Sequence, residues 1–267
     1  MRSYFSKIGF NTFIQVSGKI VTTILALVST AFLTRYLGRE GFGNFTLVFV
    51  YLSFFGILAD LGLQLTMVRE LSKKENSSPK VYGAYLGLKL FLVLFSTFLA
   101  ILCLNFFPYP QFLKIGIVIA SVGVAVGLLN NYGSVIFQAN LRLDLLTITE
   151  VVSKIVTVGF IVFFIFRQFS FFSLLSTIFL GNLIGSLLNE TPSPKFIPQK
   201  ISFDFHLAKS LIKKSLPVAL VSFFSLLYFK VDTLILSFFR DASEVGIYSL
   251  AFRITENLLV LWGFYMA

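Results

Sequence analysis

The sequence predicts an all-α integral membrane protein with about eight transmembrane helices. Three observations carry this. Charged residues make up only 13% of the chain and apolar residues 57%, with a mean hydropathy of +0.88, whereas a soluble domain is typically about 25% charged. Eight continuous apolar stretches are each near the roughly 20 residues that span a bilayer as a helix. Those stretches are unbroken rather than alternating, which favours helices over a β-barrel.

The stretches lie at about 10–34, 43–67, 82–106, 112–137, 147–166, 169–189, 215–239 and 246–267. The N-terminal segment Met1-Arg-Ser-Tyr-Phe-Ser-Lys7 resembles a signal-peptide basic region. The apolar run behind it is too long, however, and further spans follow instead of a soluble domain, so it reads as an uncleaved first span. The first two stretches are joined by a tight charged turn, Arg35-Tyr-Leu-Gly-Arg-Glu-Gly-Phe-Gly43. After the second, Arg69 to Lys80 reads as a short amphipathic end followed by a turn at Asn76-Ser-Ser-Pro79. Phe107-Pro-Tyr-Pro-Gln111 suits a sharp reversal between the third and fourth, and Arg167-Gln-Phe-Ser170 forms a tight hairpin between the fifth and sixth.

Lysine and arginine set the orientation. With the N-terminus inside, twelve fall on that side: Arg2, Lys7, Arg69, Lys73, Lys74, Lys80, Arg142, Lys195, Lys200, Lys209, Lys213 and Lys214. Five fall outside: Arg35, Arg39, Lys114, Arg167 and Arg240. The bias places the N-terminus in the cytoplasm. It also accounts for the net charge of +10 without nucleic acid as a partner.

The longest polar stretch, about Asn189 to Ser215, holds Pro192, Pro194, Pro198, His206 and five of the inside lysines. It divides the chain into a six-helix lobe at 1–189, a basic cytoplasmic linker at 190–214 and the first two helices of a second lobe at 215–267. Within the linker, Phe203–Lys214 reads as a short surface helix near anionic membrane lipid. A direct grip on substrate is the alternative.

An internal repeat supports the two-lobe reading. Gly43-Asn-Phe-Thr-Leu-Val-Phe49 aligns with Gly246-Ile-Tyr-Ser-Leu-Ala-Phe252, with three identities and three conservative exchanges in seven positions. Both follow a charged outside turn and open a span. Equal orientation makes the repeat parallel, about an axis along the membrane normal. The sequence ends within or at the end of its eighth stretch without a polar flank, so a fragment of a longer two-lobe protein is expected.

Ionisable groups inside spans are costly, about 2.5–3.5 kcal/mol each on an insertion scale, and usually face an interior. Here they are Lys19, Asp60, Lys89, Glu150, Lys154, Lys230, Asp232, Arg253 and Glu256. Glu150 and Lys154, four apart, either pair with each other or line a lumen, and Arg253 and Glu256, three apart, do likewise. Lys19 shares a face with Asn11 and Gln15 and has no acidic neighbour within a turn. It either lines a cavity and contacts phosphate or snorkels to the surface. Lys89 offers the same choice. Lys230 is a lumen candidate, and Asp232 points to a different helix face.

Three stretches carry a family resemblance: LTRYLGREGFGNF…LADLGL…VREL over Leu33–Leu71, IFQANLRLDLL…EVVSKI over Ile136–Ile155, and SLPVAL…FKVDTLILSFF…EVGIYSLAFRITE over Ser215–Glu256. Together the chain resembles the polysaccharide and lipid-linked oligosaccharide flippases of the multidrug/oligosaccharidyl-lipid/polysaccharide exporter superfamily. The resemblance implies two six-helix lobes that carry an undecaprenyl-pyrophosphate-linked glycan across the bacterial plasma membrane by alternating access. Arg253 matches a basic position of that family and would reach pyrophosphate, joining Lys19, Lys89 and Lys230, read from their depth within spans, as the substrate-binding candidates. Asp60 and Asp232 match acidic positions that either bind a coupling cation or hold structure. Partners would be the lipid-linked oligosaccharide, membrane lipids and polysaccharide-assembly proteins.

Nothing in the sequence points to an enzyme, a cofactor or a metal. His206 is the sole histidine and has no nucleophile or ligand cluster beside it. The Gly38, Gly41, Gly43 cluster lacks the Gly-Lys-Ser/Thr that phosphate loops require. Cys103 is the only cysteine, which excludes an intrachain disulfide. Two rival functions remain: a cation-coupled multidrug or small-molecule antiporter of the same superfamily, dependent on Asp60 or Asp232, and a membrane scaffold or remnant that moves nothing.

Overall fold

In a computed structural model, the chain is described at residues 2–73, 79–190 and 201–266. Side chains are described at 12–73, 79–130, 132–189 and 201–256. Every regular element among these residues is helical. The order is α1 (Arg2–Asp60), α2 (Leu63–Ser72), α3 (Pro79–Cys103), a 3₁₀ turn at Leu104–Phe106, α4 (Gln111–Ala139), α5 (Leu143–Phe166), α6 (Phe171–Glu190), α7 (Phe205–Phe239) and α8 (Ala242–Met266). Six helical segments among the described residues are long and apolar enough to cross a membrane. The first of them holds two of the eight expected stretches, on either side of a break at Gly38.

That break has a local cause. Gly38 sits at φ 67° and ψ −172°, a conformation that glycine adopts without the steric cost of a Cβ. A second interruption separates α1 from α2, where Leu61 and Gly62 both take positive φ, 47° and 69°. The α5–α6 hairpin closes the same way. Gln168 is left-handed at φ 54°, and the Gln168 and Phe169 amides donate to Ile165 and Phe164 carbonyls at 3.0 and 2.9 Å. These bonds satisfy carbonyls that a helix end leaves open.

The expected surface helix over Phe203–Lys214 is not separate from the seventh span. Asp204 caps a helix that starts at Phe205, accepting from the His206 and Leu207 amides at 2.9 and 3.0 Å. That helix runs unbroken to Phe239 through Pro217. A proline removes one backbone bond, and no glycine follows to turn the chain. The expected prolines at 192, 194 and 198 lie outside the described residues.

α1 is the hub. It packs against α3, α4, α5, α6, α7 and α8. One apolar core gathers Phe42, Phe45 and Tyr51 of α1 with Ile117 of α4, Leu174 of α6 and Val245 of α8. There the Tyr51 hydroxyl donates to the Ala100 carbonyl at 2.6 Å. A second core joins Leu63 and Met67 of α2 to Tyr82 and Tyr85 of α3 and Leu211 of α7. Between α1 and α8 the backbones nearly touch. A Cβ built at Gly43 would overlap the Ala242 carbonyl oxygen and lie 2.7 Å from its carbon and 3.0 Å from the Gly246 nitrogen. The two glycines that open the repeated heptapeptides therefore face each other across one crossing.

Candidate functional site

Three helices turn polar stripes toward a common interior, and single residues of α4 and α8 complete it. On α1 the stripe is Lys19, Thr22, Thr23, Ala26 and Ser29, at the three- and four-residue spacing of one helix face. On α5 it is Thr149, Glu150, Ser153, Lys154 and Thr157. α6 brings Asn182 and Asn189, α4 brings Asn130, and α8 brings Arg253. They enclose a cavity of about 560 Å³.

Several wall groups are already held by the protein. Thr22 donates to the Lys19 carbonyl at 3.0 Å and Thr157 to the Ser153 carbonyl at 2.8 Å. Asn182 donates to the Gly123 carbonyl at 2.9 Å, and Asn189 to the Asn130 side-chain oxygen at 2.6 Å. These bonds tie α6 to α4 and fix the amides in place. A hydroxyl that donates to its own helix keeps its oxygen lone pairs available to a ligand.

The charges are unevenly distributed. Lys19, Lys154 and Arg253 line the cavity with one carboxylate, Glu150. Lys154 lies within electrostatic reach of both Arg253 and Lys19, and Glu150 within reach of Lys19. Among the described residues, no ion pair within 4 Å joins Glu150 to Lys154, although their spacing allowed one. Clustered like charges in a low-dielectric interior repel at the scale of several kcal/mol. An anion placed among them relieves that repulsion.

A second cavity of about 390 Å³ adjoins the first and shares Arg253, Phe45 and Ile178 with it. Lys230 lines it and pairs with Glu256 at 2.7 and 2.8 Å, its ammonium 5.4 Å from the Phe252 ring centre. Glu256 thus bonds across to α7 while staying within electrostatic reach of Arg253 on its own helix, the partner its spacing suggested. Repeat-equivalent residues face one another here: Thr46 and Phe49 from α1, Ser249 and Phe252 from α8.

The sequence-derived candidates therefore separate. Lys19 and Arg253 share one cavity, and Lys230 lines the next. Gln15 is not on the cavity wall, because the stripe runs from Lys19 toward Ser29, and the Asn11 side chain lies outside the described residues. Lys89 neither snorkels nor lines either cavity. Its side chain is 0% exposed and donates to Asp60, which is 27% exposed. Asp232 accepts from the Tyr248 hydroxyl of α8 and from the Thr233 amide, the latter at 2.7 Å. Both aspartates are thus engaged in contacts that hold helices together. Lys154, read from its spacing as either an ion-pair or a lumen residue, lines the cavity, and the three asparagines beside it were not singled out. The signal for the asparagines was amide side chains inside otherwise apolar runs.

Among the described residues, no cluster of histidine, cysteine, aspartate and glutamate could hold a metal ion. The helices and the cation-lined interior define a multi-pass membrane protein built around a polar, net-positive cavity. The chain belongs to the family described as polysaccharide biosynthesis proteins, whose profile matches residues 8–267. It is 25% identical over 190 residues to a Shigella flexneri protein named "Putative O-antigen transporter". That match covers 67% of this chain and 45% of the relative, so the chain spans about half the relative's length. No solved structure matches it.

Proposed function

We propose that the chain is part of a transporter that carries an undecaprenyl-pyrophosphate-linked oligosaccharide across the bacterial plasma membrane by alternating access. Its N-terminus lies on the cytoplasmic side. The observation that carries this reading is the convergence of Lys19, Lys154 and Arg253 on one cavity against the single carboxylate of Glu150. A pyrophosphate headgroup carries the negative charge that complements three cations on one wall. The amides of Asn130, Asn182 and Asn189 and the hydroxyls of α1 and α5 suit sugar hydroxyls, which need both donors and acceptors. Family membership and the O-antigen transporter relative support the same substrate class.

A cation-coupled antiporter is the second reading, favoured by Glu150 in the same cavity. One assay separates the two. The protein expressed from its complete gene is reconstituted in vesicles with a fluorescent lipid-linked oligosaccharide, and leaflet exchange is followed by quenching. A hydrogen bond to a charged group contributes about 1.5–3 kcal/mol. K19Q, K154Q and R253Q should therefore each slow exchange by roughly 10- to 100-fold. No exchange above that of protein-free vesicles, together with cation-driven uptake of a small-molecule probe that is lost in E150Q, would replace the flippase reading with the antiporter.

A further inference from the structure

On the outer face of the bundle, α3 and α7 enclose a groove that the transport reading does not use. Its volume is about 750 Å³. Leu88 and Phe91 of α3 form one wall, and Phe205, Ile212 and Leu216 of α7 the other. Phe91, Phe205 and Leu216 are 58%, 85% and 52% exposed, so no part of the described chain covers them. At one end, the extended segment before α7 closes the groove. Ser202 donates its amide to the Gly83 carbonyl at 3.1 Å, and the Phe203 ring lies against Gly87.

Two lysines, Lys209 and Lys213, stand on the groove one turn apart on the same face of α7. Both are exposed. Asp204 also lines the groove, but its carboxylate is taken up by the helix cap. Lys214, the next residue, turns away and pairs with Glu70 of α2 at 2.9 Å.

Depth decides what fits. α7 has 35 residues, about 52 Å at 1.5 Å per residue, against a hydrocarbon core of about 30 Å. Its apolar run after Pro217 fills the core, so the turns with Lys209 and Lys213 stand at headgroup level. An apolar trough reaching down from two cations at that level matches one kind of molecule. We propose that this groove binds an anionic glycerophospholipid. An acyl chain lies between α3 and α7, and the phosphodiester is held by Lys209 and Lys213. The site rests on the membrane placement of the chain and is independent of what the central cavity carries.

The test uses the purified chain in micelles containing equal amounts of phosphatidylglycerol and phosphatidylcholine, released intact into a mass spectrometer. The wild type should retain phosphatidylglycerol several-fold over phosphatidylcholine. K209Q/K213Q, which alters only exposed side chains, should bring retention close to parity. A208W fills the trough and keeps both lysines, and it should lower phosphatidylglycerol retention by a similar factor. Equal retention by the wild type, or an undiminished preference in either variant, would overturn the proposal. A dimer mass in place of lipid adducts would also overturn it and assign the groove to a second copy of the chain.

Discussion

The α1–α8 crossing yields a sharp stability prediction through Gly43→Ala. An alanine methyl there would meet backbone rather than a movable side chain: the Ala242 carbonyl oxygen most closely, then its carbon at 2.7 Å and the Gly246 nitrogen at 3.0 Å. Non-bonded heavy atoms pack best at about 3.5 Å, so α8 must retreat by more than about 1 Å. Forcing one extra methyl into a packed contact costs about 1–3 kcal/mol. Gly56, in the same helix, has nothing within 4 Å of an added Cβ. Alanine there gains about 0.5–1 kcal/mol by stiffening the unfolded chain. That gain applies at both positions and cancels, so the two variants should differ by roughly 1–3 kcal/mol. At about 2–4 °C per kcal/mol for a chain of this size, G43A should melt about 2–12 °C below G56A. The assay is thermal unfolding of both proteins in one detergent, followed by helical circular dichroism. Equal melting temperatures would refute the close crossing, because both substitutions add the same methyl to the same helix.

Two ion pairs give further expectations. Lys89→Met leaves Asp60 without its buried partner and should cost about 3–5 kcal/mol, and K89M/D60N should recover part of that loss in the same melting assay. If D60N in the wild-type background proves neutral, the pair does not hold α1 to α3. Lys230 and Glu256 join α7 to α8 with both side chains over a quarter exposed. K230E and E256K should each melt below the wild type by up to about 2–4 °C, and the exchanged double variant should restore most of the difference. Failure of the exchange to restore it would show that position, rather than pairing, matters at that site.

Most of the helical framework was legible because bilayer length and continuous apolarity are properties of contiguous residues. The turn at Gly38 was legible for the same reason: charges and glycines interrupt two apolar runs. What was not legible was contact between distant elements. Lys89 and Asp60 are 29 positions apart, and Lys230 and Glu256 are 26 apart. Spacing within one helix pointed instead to Glu150–Lys154 and Arg253–Glu256. Helical spacing brings such pairs near each other, but charges from other helices compete, and Glu256 turns to Lys230 on α7. The repeat was readable as two parallel segments, but their meeting at Gly43 and Gly246 was not, since similarity carries no distance. The asparagines of the cavity carry no charge and so stand out less from an apolar run than an ionisable group does. In an apolar run, an amide marks an interior nearly as well as a charge does.

The cavity lined by Lys19, Lys154 and Arg253 is proposed to hold a pyrophosphate-bearing lipid. The most direct test of that proposal is equilibrium binding of a fluorescent undecaprenyl-pyrophosphate oligosaccharide to the purified protein, wild type and K19Q/K154Q/R253Q. The triple variant should bind at least tenfold more weakly, while K209Q/K213Q on the outer groove binds as the wild type does. Equal affinity in the triple variant and the wild type would contradict the account and remove the cation cluster from substrate recognition.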